Sequence, residues 1–511
     1  MSDKPIDSQS TPTSGADAQS KQHWLKGRDI DWKRIAYLLL GVGLFTAVYL
    51  SPEWPAAVDP KGEVFALSRE GKAGLALFLL AATYWVTEVV PIGVTSIIIG
   101  VMQALFLIRE PRIAFTDFMD PSVWFIFGSL TIGMVFTKTG LTRRIAYKML
   151  VIVGERTSMI YLGCFVVTSA LTLIMAHTAV AATIYPLLVA IHGLYTDEDK
   201  PTRFGMGLFM GMAFVAGAGS IITLLGAARG AVAIGFYRDV IGKDVTFFEL
   251  SYYMAPVGVL MTFVLWGFFM VWCKPEKKTI PGLRARAAKL YTELGPITSK
   301  EILTLVLVIT AILLLSLRSF VPELAVLHKS AIILTATVLF FVFNILSIKD
   351  LEDVPWNIIL LFGGAMCIGF CLWQTGAAKW LAVQWLGLFE EAPGFVFIMG
   401  ISFFVLLMTN FIMNVAAIAI SLPVALVIAP YLGVSPEVIL FSALVTAGMP
   451  FLLLVGAAPN AIAYGSGQFT TKEFFVAGIP ASLILMVVLA GFVAVVWPLM
   501  GMPVMLPAAG S

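Results

Sequence analysis

A few polar side chains set in apolar sequence define the chemistry open to this chain. His177 and Thr178 interrupt the run LTLIMAHTAVAATIYPLLVA (171–190), and Asn414 interrupts LMTNFIMNVAAIAISLPVALVI (407–428). Pro423 follows Asn414 at the same distance as Pro186 follows His177. A helix broken in apolar surroundings frees N–H and C=O groups, which are tolerated only where they line a cavity or hold something. The helix that starts after such a break presents unpaired N–H groups worth about half a positive charge, so the chemistry is non-covalent anion recognition.

Arg229, in TLLGAARGAVA, adds a cation whose fork matches a carboxylate, sulfonate or sulfate. A charge inside a membrane domain costs roughly 2.5–3.5 kcal/mol on insertion scales, which makes it a functional candidate rather than filler; the alternative is snorkelling to an interface. Histidine titrates near neutrality, so His177 could couple protons to anion movement, or as a neutral ring hydrogen-bond the substrate or cap the break. Thr178, Asn414 and Asn460 read as substrate-lining. Asn410 lies one turn before Asn414 and Thr223 about one turn before Gly226, either lining the same side or gluing helices together.

The elements that must position these residues are membrane helices. Of the 511 residues, 59% are hydrophobic and 13% charged, with mean hydropathy +0.93. A soluble chain of this size would carry about twice that share of charge. Apolar stretches long enough to span a bilayer recur from end to end, which predicts an all-α polytopic membrane protein. The net charge of +2 gives no footprint for nucleic acid. Cys164, Cys273, Cys367 and Cys371 lie in apolar segments without ligand or disulfide spacing and read as small buried hydrophobes.

In chain order, residues 1–30 read as a disordered tail. The basic residues Lys26, Arg28, Lys33 and Arg34 before the first span (34–51) place that tail in the cytoplasm. Residues 72–108 are too long for one span and divide near Thr87, Glu88 and Pro91. A first half, 31–273, holds an apolar segment at 121–140 read as a hairpin and the broken helix at 158–195. The polar connection 274–299, rich in Lys and Arg, reads as a cytoplasmic linker. The second half, 300–511, repeats the order, with a hairpin at 355–376 and a broken helix at 394–430. PSVWFIFGSLTIGMVFTKTG and PWNIILLFGGAMCIGFCLWQTG share a Trp, a Phe-Gly and a terminal Thr-Gly. Two interrupted segments at corresponding places in two repeats point to an alternating-access carrier.

YWVTEVVPIGVT (84–95), FGGAMCIGFCLWQTG (362–376) and VGAAPNAIAYGSG (455–467), in this order, resemble the divalent anion/sodium symporter family of carboxylate and sulfate carriers, over about residues 70–500. The resemblance implies inverted repeats with two re-entrant hairpins, about eleven transmembrane spans, a homodimer and an elevator-type movement. The family carries Ser-Asn-Thr at both breaks, whereas this chain has Ala176-His177-Thr178 and Met413-Asn414-Val415. The family's Gly-Thr-Pro-Pro-Asn turns stand here as Gly226-Ala227-Ala228-Arg229-Gly230 and Gly456-Ala457-Ala458-Pro459-Asn460. Several sodium and substrate contacts of the family are therefore missing, and sodium dependence is in doubt; a vestigial sodium site would lie at Thr172, Gly226, Asn414 and Gly456.

The reading is a secondary active transporter of small organic dianions, di- or tricarboxylates first, working by exchange or linked to protons, without a cofactor. It would sit in the cell membrane, the inner membrane of a bacterium, with the lipid bilayer and a small anion as its partners. The alternatives are a sodium-coupled carboxylate, sulfate or sulfonate symporter and a cation/proton antiporter; the latter lacks an acidic residue at either break. His177, His192 and His328 are not spaced as metal ligands, which argues against a membrane enzyme.

Overall fold

The computed structural model describes residues 31–58, 63–196, 200–386, 393–411 and 413–506. The tail at 1–30, read above as disordered, lies outside them. The fold is almost entirely helical, with one short ribbon pairing Ala57–Val58 and Val64–Phe65. Among the described residues, nine helices are long and apolar enough to cross a membrane, and shorter apolar helices lie between them. The long segment at 72–108 divides as expected. Helix Arg69–Thr87 ends where Glu88 turns left-handed at φ 46°, and Pro91 precedes Ile92–Leu105.

The interrupted helix at 158–195 does not run straight through. Thr157–Leu171 and His177–Tyr195 are separated by a non-helical tip at 172–176. Tyr161, near the start of the first limb, and Tyr195, at the end of the second, both stack on Phe204, with ring centroids 5.2 and 4.3 Å away. Both outer ends therefore lie together and the limbs form a re-entrant hairpin. The Tyr161 hydroxyl donates to the Phe204 carbonyl (2.8 Å) and that of Tyr195 to Glu276 Oε2 (2.8 Å), which fastens the base.

The second interruption folds the same way. Gly394 opens the limb Gly394–Phe411, and a Cβ on it would lie 2.9 Å from Val434, just beyond the exit of the limb Asn414–Ile428. The bases of the two hairpins face opposite ways. Cys273 and Glu276, at the end of the 26-residue helix Phe247–Trp272, border the first base. Near that helix's start, the Tyr253 carbonyl accepts from Trp497 Nε1 (3.1 Å) and the Tyr253 ring meets Phe441 (5.4 Å), on the side of the second base. Twenty-six helical residues span about 39 Å, so the hairpins enter from opposite faces and the repeats are inverted.

The segments read as hairpins at 121–140 and 355–376 are instead unbroken helices, Pro121–Thr139 and Trp356–Gln374. Their glycines do not turn the chain; they let neighbours approach. Gly128 packs on Ile333, Gly363 on Phe118 and Gly364 on Ser96. The turning is done at their ends, where Gly140 and Gly376 adopt φ 85° and 75° before Leu141–Val153 and Ala377–Leu386.

The linker at 274–299 also has structure. Its helix Leu283–Glu293 packs on Leu141–Val153, and Arg144 reaches both Glu301 (2.9 Å) and the Gly295 carbonyl (2.9 Å). With side-chain exposures of 10% and 3%, this ion pair is desolvated and needs those extra hydrogen bonds to hold.

A second broken pair in each half completes the core. Arg203–Gly219 gives way at 220–228 to Arg229–Ile241, and Pro436–Ala447 gives way at 448–457 to Ala458–Tyr464. The helix after each break packs on the other half, Arg229–Ile241 against Asn414–Ile428 and Ala458–Tyr464 against His177–Tyr195. The two breaks meet at the centre, where a Cβ on Gly217 would lie 2.8 Å from the Gly448 carbonyl.

Candidate functional site

Both hairpin tips and both breaks open on one cavity of about 540 Å³. Its ceiling is His177 and Thr178 from one tip, Asn414 and Val415 from the other, and the turns at Ala227–Arg229 and Gly456–Ala458; helices Pro121–Thr139 and Trp356–Gln374 form a wall. Each tip starts a helix of 15 residues or more without a side-chain cap; at the first tip the His177 N–H is taken by the Gly226 carbonyl, which leaves the N–H groups just after it at the cavity edge. Two helix N-termini converging on a mostly apolar chamber present the positive potential that an anion would meet there.

His177 is the first residue of its limb. Its backbone N–H donates to the Gly226 carbonyl (3.0 Å), and its Nδ1 lies 3.3 Å from the same oxygen. With Nδ1 as donor, Nε2 is left as the acceptor face of a neutral ring. Arg229 is 2% exposed; its Nη2 donates to Ser220 Oγ (2.8 Å), and its Nη1 meets no acceptor among the described residues. The residue lines the large cavity and also a void of about 10 Å³ beside Ser220, Thr223 and Leu444, the size of one water. Part of its fork is thus held behind the first tip, and its charge rather than a free bidentate clamp is what it offers the cavity.

At the second tip, Asn414 Oδ1 accepts from the Thr409 hydroxyl (3.1 Å), which also lies 3.1 Å from the Ala447 carbonyl. Thr409 went unread in the sequence. It stands at the same offset from Asn414 as Thr172 does from His177, and the repeat was the signal that could have found it.

Thr172 is fully buried and donates to the Ser169 carbonyl (2.7 Å), while the Gly226 carbonyl is taken by His177. The residues proposed for a vestigial sodium site therefore divide: Thr172 and Gly226 lie at the first tip, Asn414 and Gly456 at the second.

Three residues read as substrate-lining do not line the cavity. Asn410 is fully buried, and its Oδ1 accepts from the N–H groups of Leu452 (2.7 Å) and Leu453 (3.2 Å). Asn460 Nδ2 donates to the Pro450 (2.9 Å) and Leu453 (3.2 Å) carbonyls. The Thr223 hydroxyl donates to the Leu173 carbonyl (2.7 Å), tying the first break to its hairpin tip. These side chains satisfy backbone groups that the broken helices set free.

Asn410→Ala is accordingly expected to cost about 1–3 kcal/mol of stability by stranding two buried N–H groups. Thermal unfolding in detergent should show a lower midpoint, while the substrate KM stays unchanged; a raised KM at an unchanged midpoint would return Asn410 to the binding site.

At the cavity mouth, Lys138 pairs with Asp350, which also accepts from the Ser347 N–H (2.6 Å) and hydroxyl. Partial burial alone would raise the Asp350 carboxyl, but the hydrogen bonds from Lys138 and Ser347 outweigh it and hold the group at about 2. A depressed carboxyl contributes its stabilisation above its unfolded value, near 3.9, and loses it only as pH falls toward the folded one. The Asp350 carboxylate thus stays ionised between about pH 5 and 8. Asp350→Asn should leave the shape of the uptake–pH profile unchanged in that window; a limb that vanishes in this variant would contradict the assignment.

Residues 34–503 match the family described as the sodium:sulfate symporter transmembrane region. Among curated relatives, the sodium-dependent dicarboxylate transporter SdcS of Staphylococcus saprophyticus is 25% identical over 463 residues, covering 86% of this chain and 89% of the relative. Its namesake from Staphylococcus aureus is 26% identical over 451 residues, covering 84% and 86%. Two solved structures share the fold. The YdaH transporter of Alcanivorax borkumensis has a TM-score of 0.56 at 14% identity and covers 92% of this chain and 98% of its own. MtrF of Neisseria gonorrhoeae, described as illuminating a class of antimetabolite efflux pumps, has a TM-score of 0.51 at 12% identity and covers 93% and 96%.

Proposed function

This chain belongs to the sodium:sulfate symporter family, and from that premise we propose that it is a secondary carrier of small organic dianions, di- or tricarboxylates first, that runs by exchange or proton linkage rather than on sodium. It is a multi-pass membrane protein and a transporter, not an enzyme. Dicarboxylate specificity draws support from the names of the staphylococcal relatives.

The observation that carries the coupling is Arg229. Its buried guanidinium sits at the root of the first tip, beside the turn whose Gly226 carbonyl is already engaged by His177. A fixed cation there neutralises a bound anion as a co-bound sodium would, but it cannot be released with the substrate. A carrier so built returns loaded, which favours exchange, or it is linked to a proton, a role that this reading gives to His177. In this reading the tip-bearing part moves elevator-fashion within a homodimer.

Sodium-coupled symport of carboxylate, sulfate or sulfonate is the second reading. It is favoured by the oxygen cluster at the second tip, where Thr409, Asn414 and the Ala447 carbonyl converge. Hard cations take such ligands.

Uptake of labelled succinate into proteoliposomes separates the two. Sodium is compared with potassium, with and without a pH gradient and internal dicarboxylate. Flux in potassium that is stimulated by internal dicarboxylate or by a proton gradient supports the first reading; strict sodium dependence sinks it.

A further inference from the structure

We propose that Lys138 is the anchor for the far carboxylate of the dianion and that Asp350 is a built-in competitor occupying that anchor when no dianion is bound. The inference rests on the carrier reading above and adds to it the group that distinguishes two charges from one.

The placement follows from helix register. Gly133 abuts the first tip, where a Cβ on it would lie 3.5 Å from Ala179 and 3.9 Å from Met175. One turn on, Thr137 Oγ1 lies 3.4 Å from Thr183 Oγ1, so helix Pro121–Thr139 runs alongside the second limb of the hairpin, away from the tip. Lys138 is therefore about 7–8 Å further along the cavity than the level of the tip N–H groups. A four-carbon dicarboxylate separates its carboxyl carbons by about 4 Å, three C–C bonds. The lysine's flexible four-carbon stem covers the remainder. With one carboxylate on the tips, the other points down the cavity toward the ammonium.

Asp350 is the one carboxylate lining this cavity among the described residues. An acid there repels the very anion that the tips attract, unless it is neutralised. It is neutralised by Lys138, across the two halves of the chain, and it is fixed by Ser347 at the start of the short helix Ile348–Glu352. Its side chain is 19% exposed against 43% for Lys138, so the lysine is the more accessible partner. A carboxylate arriving from the tips can take over Lys138 and leave Asp350 on its Ser347 hydrogen bonds. A monoanion seated on the tips has nothing to offer Lys138 and leaves the pair closed.

The test is inhibition of labelled succinate uptake into proteoliposomes by unlabelled succinate and by monomethyl succinate, which has the same skeleton and one charge fewer. The readout is the ratio of their half-inhibitory concentrations. Lys138→Gln is expected to shrink the ratio roughly fivefold by weakening succinate alone, and Lys138→Arg to preserve it. Asp350→Asn is expected to widen it by removing the competitor. Should Asp350→Asn misfold through its lost cap, the two Lys138 variants decide the matter alone. Uptake that persists with an unchanged ratio in Lys138→Gln, or with both inhibitors weakened in parallel, overturns the inference. Absence of any wild-type succinate uptake overturns the carrier reading and this inference with it.

Discussion

Replacing Arg229 by alanine is expected to lower sodium-free succinate uptake about fifty-fold. A unit charge about 7 Å from an anion, at an effective dielectric near 20, is worth about 2.4 kcal/mol, and each 1.4 kcal/mol is a factor of ten. The residue is buried and borders the cavity, so bulk ions cannot screen it from a bound anion. Arg229→Lys separates charge from fork. Since Nη2 is spent on Ser220 rather than on the cavity, a lysine should keep sodium-free flux within about fivefold of wild type.

Sodium then becomes informative in the alanine variant. Removing the guanidinium frees the Ser220 hydroxyl and enlarges the void that Thr223 also borders, and hydroxyl oxygens are ligands of the kind hard cations take. External sodium is expected to restore part of the flux in Arg229→Ala and to leave wild type unchanged. Wild-type flux that collapses without sodium, with Arg229→Ala indistinguishable from it, would remove the guanidinium from the mechanism and restore ordinary symport.

The sequence marked the breaks at His177 and Asn414, the division at Glu88 and the buried cation because each violates what a membrane helix tolerates. Polar groups, a Pro-directed turn and a charge all stand out against apolar sequence. It did not distinguish a kinked helix from a re-entrant hairpin. Both need the same interruption, and the difference lies in where the far ends go, which is settled by Tyr161 and Tyr195 sharing Phe204. The Phe-Gly helices were misread for the converse reason: Gly128 and Gly364 serve close packing, a role that leaves the same residue in the sequence as a turn does.

Polarity near a break was likewise ambiguous. Asn410, Asn460 and Thr223 point into freed backbone, while Thr178 and Asn414 face the cavity, and only the side-chain direction separates them. Lys138 gave no sign of a site in the sequence, because its partner Asp350 lies in the other half of the chain.

Gly217→Ala is expected to abolish transport and to lower the unfolding midpoint, even though alanine is the better helix former. Gly217 lies within helix Arg203–Gly219, where the exchange would ordinarily gain about 0.5–1 kcal/mol. Here the added Cβ would lie 2.8 Å from the Gly448 carbonyl, and a backbone oxygen at the second break cannot swing aside as a side chain would. Overpacking of this kind costs about 1–3 kcal/mol. The strain falls where the two halves meet, beside the cavity ceiling, so relieving it displaces the Gly448 turn from Arg229, whose Nη2 lies 2.7 Å from the position of a Gly448 Cβ.

Gly267→Ala is the matched control. Gly267 sits in the interior of Phe247–Trp272 with nothing within 4 Å of its Cβ position, and the exchange there should be neutral or stabilising and leave flux intact. Thermal unfolding and succinate uptake of the two variants, measured side by side, give opposite signs if the contact between the breaks holds the site together. Equal behaviour would mean that the halves can separate at Gly217 without cost to the cavity.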